Sequence, residues 1–304
     1  MGNDVSRGVR DGNPKNYRYS GGGWWPAPPT VMKILSWNIR GLGNARTFLA
    51  LQKILQQQRP LIMFVCETKL MAKQLYEISR KLKVDNCLAV NRNGKGGGLA
   101  MLWYNEANVH VTSYNNHHID ARVQREDDSW MRCTGIYGHP EMAQKKHTWT
   151  LLKRLVGLSD IPWLCFGDFN EILHPNEKIG GNDRNVNMIS EFREALCECN
   201  LIDLGCKGYH FTWSNGRFGQ NFVEERLDRF LCNKEWREKY VDCAAVNLET
   251  WTSDYYPIII EVQAKGNGLS YTRRSTSRFH YEDAWSNYEA CKDIIDKEWR
   301  RHDN

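Results

Sequence analysis

The sequence predicts an α/β sandwich of four layers, two packed mixed sheets with helices on their outer faces. Three observations carry that expectation. Strand-like runs outnumber helix-like ones, buried apolar strands alternate with helices in both halves of the chain, and polar residues sit at the ends of several apolar strands. No repeat of fixed period interrupts the pattern.

The chain has 304 residues, 41% hydrophobic and 12% aromatic with 12 Trp, which is enough to bury a sizeable core. Lys and Arg number 41 against 36 acidic residues, a net charge of +5. That balance suits a polyanionic partner but is far from a histone-like excess. No apolar run approaches the roughly 18 residues of a membrane span, and the N-terminus lacks a secretory profile. The 10 Cys include no CxxC pair and no zinc spacing. Reduced thiols and a nuclear or cytoplasmic location are therefore expected.

Residues 1–31, rich in Gly, Asn, Pro and Arg, read as a disordered lead-in. One domain is expected over 32–264. Its first strand is Met32–Trp37, ending in Asn38-Ile39-Arg40-Gly41. Phe48, Leu51, Ile54 and Leu55 mark an amphipathic helix closed by Arg59-Pro60. Leu61–Cys66 is a second apolar strand that delivers Glu67, and a helix over 71–83 follows. Strands are expected at 86–91, 98–104, 107–114, 119–124 and 130–138, then a helix over 143–156. The run Trp163-Leu164-Cys165-Phe166-Gly167-Asp168-Phe169-Asn170-Glu171 reads as a buried strand with polar residues at its exit. Strand alternation puts Asp168 and Asn170 on one face and turns Phe169 into the core. A helix near 187–199 comes next, then the stretches Phe211–Trp213, Glu225–Leu231 and Pro257–Val262. Residues 265–304 read as a basic linker and an amphipathic helix carrying Trp285, Tyr288, Cys291, Ile295 and Trp299.

Asn38, Glu67, Tyr137 and the pair Asp168/Asn170 all fall at strand ends, followed by Asp228 and Ser253-Asp254. Singly they have plain explanations: Asn38 as a turn cap, Glu67 as a helix cap, Asp228 as a partner of Arg226 or Arg229. Together they describe a mouth. A carboxylate beside a carboxamide suits the orientation and deprotonation of a water.

The series Trp37–Gly41, Cys66-Glu67-Thr68-Lys69, Gly135–Gly138, Gly167-Asp168-Phe169-Asn170, Arg226-Leu227-Asp228 and Ser253–Pro257 resembles the endonuclease/exonuclease/phosphatase superfamily. Within it the chain is most similar to the apurinic-type endonuclease domain of plant LINE (non-LTR) retrotransposons. Gly97–Trp103, Phe211–Asn215 and Arg278–Trp285 support the likeness, which runs from about Lys33 into the tail. The resemblance implies DNA as substrate and Mg²⁺ as cofactor, with Mn²⁺ as the alternative ion, and no membrane or small-molecule cofactor. Asn38 and Glu67 would hold the metal. Asp254 would serve the metal end or the phosphate network. Asp168 would activate water, Asn170 position it, and Tyr137 donate to a phosphate oxygen. Arg40, Trp213 and Asn215 fall on the substrate side. Oligomeric state stays open, and a reverse transcriptase would be expected after the tail.

The family's catalytic His follows the acid of its last motif and is oriented by the Asp of Arg-Leu-Asp, here Asp228. In this chain the position holds Tyr255. A phenol with pKa about 10 stays neutral where an imidazolium would supply a mobile proton. Loss of an acid–base group costs roughly 10²- to 10⁴-fold in rate. Arg40 departs too, since the abasic-site repair enzymes carry an acid there.

The expected function is a metal-dependent DNA endonuclease weakened at Tyr255. The alternative is an inactive retroelement relic that binds nucleic acid or protein without cutting. A lipid phosphoesterase is disfavoured, because Arg226-Leu227-Asp228 after Thr212-Trp213 looks like the nuclease branch. Elsewhere, Gly94–Gly98 reads as a turn into a strand, His117-His118 as a solvent-facing pair, His139 as a mouth residue, and Lys145-Lys146-His147 as a solvated helix face. Trp213 reads equally as a base-stacking platform or as core.

Overall fold

The computed structural model describes residues 31–263, apart from 126, 159–160, 241–242 and 251. The expected lead-in, except Val31, and the expected linker and tail helix lie outside the described residues.

In chain order the strands are β1 (Met32–Asn38), β2 (Ile62–Cys66), β3 (Asn86–Asn93), β4 (Gly96–Trp103), β5 (Asn108–Asn115), β6 (His118–Gln124), β7 (Trp130–Tyr137) and β8 (Trp163–Asp168). Beyond these lie β9 (Lys178–Ile179), β10 (Ile202–Asp203), β11 (Cys206–Lys207), β12 (Trp213–Ser214), β13 (Glu224–Glu225), β14 (Asp228–Cys232), β15 (Ala245–Asn247) and β16 (Ile258–Val262). The helices are α1 (Ala45–Gln58), α2 (Ala72–Lys81), α3 (Lys145–Val156), α4 (Val186–Glu198) and α5 (Lys234–Lys239). No helix of the described residues is long and apolar enough to cross a membrane.

One sheet runs β11-β15-β16-β1-β2-β4-β3, the other β10-β14-β8-β7-β6-β5, and a small sheet joins β12, β13 and β9. Both large sheets are mixed: β1 is parallel to β2 and β7 to β8, whereas β16 and β14 run antiparallel to β1 and β8.

Period-two alternation explains why the central strands are apolar throughout. On β2, Ile62, Phe64 and Cys66 enter the core between the sheets, while Met63 and Val65 face α1 and α2. On β8, Leu164 and Phe166 point inward, while Trp163 and Cys165 lie with Trp149, Leu152, Phe192 and Leu196 from α3 and α4. Four layers result, as the pattern predicts. Phe64 and Phe166 meet edge to face across the sheets at 6.2 Å. They can do so because β7 carries Gly135, where any side chain would strike the Phe64 ring.

The helix ends follow their sequence signals. The Asn44 side chain accepts from the Arg46 amide at the start of α1, and Arg59, at φ +50°, ends it before Pro60. Gly94-Lys95 is indeed a turn, between β3 and β4.

Two expectations need correction. Lys145 opens α3 but is buried, 2% exposed, instead of lying on a solvated face; Lys146 and His147 are exposed as expected. Its ammonium donates to the Asn170 carbonyl at 2.6 Å and to Glu171 at 2.5 Å, and that pairing is what permits a buried lysine. The His117-His118 pair does not face solvent together either. His118 is buried with Nε2 3.0 Å from the Ser113 hydroxyl, and half-buried His117 stacks on His139 with ring centroids 3.7 Å apart.

Candidate active site

Because β1, β2, β7 and β8 end at the same edge of the sandwich, while β14 and β16 begin there, the six polar positions converge. Across β14 and β8, Asp228 stands directly opposite Asp168. Two hydrogen bonds tie the sheets together at this edge. Asn38 Nδ2, from one sheet, donates to Asp168 Oδ2 of the other at 2.8 Å. The Tyr137 hydroxyl donates back to Glu67 Oε1 at 2.5 Å.

Strand β8 delivers Asp168 through Gly167, whose φ of +135° no side chain tolerates and where a Cβ would strike the Ile136 carbonyl. The strand stops at Asp168. Asn170 is then swung back by a left-handed turn at φ +56°, not by simple alternation, and Phe169 enters the core as predicted. Arg40, Glu67 and Lys69 follow strand ends in the same way, at φ +43°, +54° and +57°. Left-handed backbone costs a non-glycine residue about 1–2 kcal/mol, so the mouth concentrates strain.

Asp168 is fully buried and accepts from Asn38 Nδ2, from the Asn170 backbone N–H at 2.8 Å and from Asn170 Nδ2 at 3.2 Å. Burial pushes its carboxyl up to about 6, with the Glu67 charge adding to the rise and the hydrogen bonds and Lys145 opposing it. Asn170 Nδ2 also reaches the Gly138 carbonyl at 2.9 Å.

Asp228 sits differently. It is 1% exposed, and neither carboxylate oxygen has a hydrogen-bond partner. Burial first, and the Asp168 charge second, push it well above the usual carboxylate range, against the smaller opposing effects of the nearby Thr212 hydroxyl and the Arg229 charge. The plain alternative, pairing with Arg226 or Arg229, does not occur. Both arginines bind Glu177 and Asp203 at 2.8–3.0 Å.

Tyr255 is 7% exposed and fixed by its backbone: its carbonyl accepts from Trp37 Nε1 at 3.0 Å and its N–H donates to the Ser253 hydroxyl at 3.1 Å. Burial, followed by the charges of Asp168 and Asp228, raises its phenol well above the ordinary value. The Arg40 guanidinium lies 5.9 Å from its ring centroid and pairs with Asp254 at 2.7 Å. Nothing in the sequence signals that ion pair, which joins residues 214 apart.

Trp213 bridges to Tyr255 through the backbone and packs its ring on the apolar cluster beneath α1, with Nε1 buried and unpartnered. From it rises a hairpin whose tip exposes Phe218 at 94%. Asn215 is engaged inside that hairpin, donating to the Asn221 carbonyl and accepting from the Arg217 and Val223 N–H groups.

Among the described residues no group of three His, Cys, Asp or Glu side chains could hold an ion. The donor set is a partly exposed carboxylate, Glu67, whose Oε2 has only a 3.7 Å contact to Lys69, with Asn38 at the end of the neighbouring strand. Oxygen donors of this kind fit Mg²⁺, which keeps waters and shares one or two carboxylates with substrate phosphates. They do not fit a soft metal.

The chain belongs to the endonuclease/exonuclease/phosphatase family, whose model matches residues 35–254. Solved structures agree on the fold. An AP endonuclease, LMAP, from Leishmania major is 16% identical over 77% of this chain and 88% of its own, with a TM-score of 0.61. A 3' phosphatase, NExo, from Neisseria, bound to a product DNA hairpin, is 20% identical over 76% of this chain and 99% of its own, with a TM-score of 0.59. The endonuclease domain of TRAS1, a telomere-specific non-LTR retrotransposon, is 13% identical over 77% and 99%, with a TM-score of 0.58. Among curated proteins none matches.

Proposed function

We propose that this chain is a DNA phosphodiesterase of the retroelement endonuclease kind, as in plant LINE elements, and that Tyr255 slows it. The observation that carries the reading is the Asp168 environment: a buried carboxylate with three hydrogen bonds and a pKa of about 6, beside a carboxamide. Such a group is ionised at neutral pH and basic enough to take a proton from water. The fold likeness to nucleases of both repair and retroelement types supports DNA as the substrate.

In this reading Asp168 accepts the proton of the attacking water while Asn170 orients it. The Tyr137 hydroxyl turns from Glu67 to a non-bridging phosphate oxygen. Glu67 and Asn38 would hold Mg²⁺, which supplies charge neutralisation on the phosphate when bound. Arg40 adds a fixed positive charge at the edge of the mouth. What is missing is a proton for the leaving oxygen, since the Tyr255 phenol is held neutral and weakly acidic by burial among carboxyl groups.

A second reading, a relic that binds without cutting, is favoured by one observation: Asp228 is buried with nothing to orient. Nicking of supercoiled plasmid in Mg²⁺ separates the two. Parent activity that Asp168→Ala abolishes supports the enzyme. A parent that binds DNA but nicks no faster than Asp168→Ala supports the relic.

A further inference from the structure

Beyond Tyr137 stands a feature that the reaction above does not use. His117 stacks on the Tyr137 ring at 6.0 Å, His139 stacks on His117 at 3.7 Å, and His147 tilts against His139 at 5.6 Å. The column brings together the β5–β6 turn, the loop after β7 and the first turn of α3, starting next to the mouth and ending at an exposed ring.

Its hydrogen bonds define the protons. His117 Nδ1 lies 2.9 Å from the Tyr137 carbonyl, which can only accept, so this nitrogen carries hydrogen. Thr148 Oγ1 accepts from the His139 backbone N–H at 2.9 Å and lies 3.1 Å from His139 Nδ1. The threonine hydroxyl can donate its hydrogen to Nδ1, and in that tautomer His139 carries its own hydrogen on Nε2. The side-chain hydrogen bond of His139 among the described residues is made through Nδ1, and the ring is partly exposed.

The charged groups around the ring are few. Burial, with smaller contributions from His117 and His147, holds His139 down to about 4, so it is neutral at physiological pH. Lys145 turns its ammonium inward to Glu171. Lys146, next to His147, and Glu141, in the loop after β7, are exposed. The result is a neutral imidazole on a stacked aromatic column beside the candidate site, and among the described residues no carboxylate is hydrogen-bonded to any of the three rings.

We propose that His139 is a backbone-docking contact: in the tautomer that accepts from Thr148 at Nδ1, its Nε2–H donates to a phosphodiester oxygen of the nucleic-acid strand where that strand leaves the mouth past Tyr137. His117 acts as a positioning residue that fixes the ring plane. The proposal rests on the DNA reading of the mouth and adds to it a second phosphate position.

A neutral donor has a signature that a cation lacks. Neutralising a phosphate with Lys or Arg releases counterions and contributes about one unit to the salt slope of binding, whereas a neutral donor contributes none. The test measures the affinity of the protein for a labelled duplex as a function of salt, with Asp168→Asn in every protein so that no strand is cut. His139→Leu should weaken binding about tenfold, the range for a hydrogen bond to a charged group, and leave the slope unchanged. His139→Gln, whose amide nitrogen can stand near the Nε2 position, should bind like the parent, and matched melting temperatures would show that both variants are folded. Arg40→Met serves as the contrast, with a slope lower by about one.

Equal affinity for His139→Leu and the parent overturns the proposal, as does a slope that falls in His139→Leu. A His139→Gln variant as weak as His139→Leu also overturns it, because ring packing would then be the cause. Inorganic phosphate at constant ionic strength should not compete; competition that His139→Leu removes would assign the site to the free anion instead. A parent that binds no duplex at all sinks the DNA reading and this proposal together, whereas a parent that binds while His139→Leu has no effect sinks this proposal alone.

Discussion

Asp168 and Asp228 are a register pair on neighbouring strands, both fully buried, yet they are in opposite conditions. Asp168 has three hydrogen bonds from Asn38 and Asn170, while Asp228 has none to either oxygen. Burial raises both, but the donors around Asp168 restrain the rise to about 6, whereas Asp228 goes well above the carboxylate range. In the proposed reading the half of the mouth that prepares the water is complete, whereas the half that would handle the leaving oxygen keeps the carboxyl of Asp228 and presents Tyr255 in place of an imidazole. Burial alone does not make a base, and the surrounding donors decide whether a buried carboxyl stays usable.

The largest expected effect tests the complete half. Asp168→Ala should lower plasmid nicking by roughly 10²- to 10⁴-fold. With Asp168 as base, the parent rate should rise with pH through about 6 as the carboxyl ionises, and then stay level through neutral pH, because no imidazolium is present to be lost. A profile flat across pH 6 would break the comparison.

Next in size is the support beneath the complete half. Lys145→Met leaves Glu171 charged and buried without its partner, and should cost about 3–5 kcal/mol in denaturant unfolding. Lys145→Met with Glu171→Leu should recover much of that stability while leaving the Asn170 carbonyl without its donor.

A smaller effect tests the incomplete half. A carboxyl whose folded pKa lies above its unfolded value of about 3.9 contributes most below that value, and the contribution is lost as pH rises through the folded pKa. For Asp168 the rise to about 6 amounts to about 3 kcal/mol. Asp228, raised further, loses its contribution at higher pH still. Asp228→Asn should therefore raise stability relative to the parent as pH increases above about 4, read as a growing difference in melting temperature. An unchanged difference across that range would mean that Asp228 is ionised and paired.

Least of all, Arg40→Ala removes a half-exposed ion pair with Asp254 and should change stability by less than about 1 kcal/mol. Its effect belongs to DNA affinity at low salt.

Much of this was legible in the sequence, for definite reasons. β2 and β8 are apolar without interruption because each is covered on both faces, and the polar residue that breaks each run marks the mouth. The family motifs then imply roles for positions such as Asn38, Glu67 and Asp228 that spacing alone leaves open. What could not be read depends on contacts distant in sequence. Lys145 looks like the start of a solvated Lys-Lys-His run, and only Glu171, 26 positions on, explains its burial. Arg226 and Arg229 flank Asp228 yet bind Glu177 and Asp203. The helix α5, Lys-Glu-Trp-Arg-Glu-Lys, has one buried residue, Trp236, and hence no periodicity to detect. The histidine column joins three elements that only the folded chain brings together.

The central claim is that Asp228 is a preserved receptor for an imidazole that Tyr255 displaces. Single-turnover nicking by Tyr255→His, with and without Asp228→Asn, tests it most directly. Tyr255→His should exceed the parent by about 10²-fold or more, with a rate that falls again as the imidazolium deprotonates, and adding Asp228→Asn should remove most of the gain. A Tyr255→His variant no faster than the parent, or one indifferent to Asp228→Asn, would contradict it.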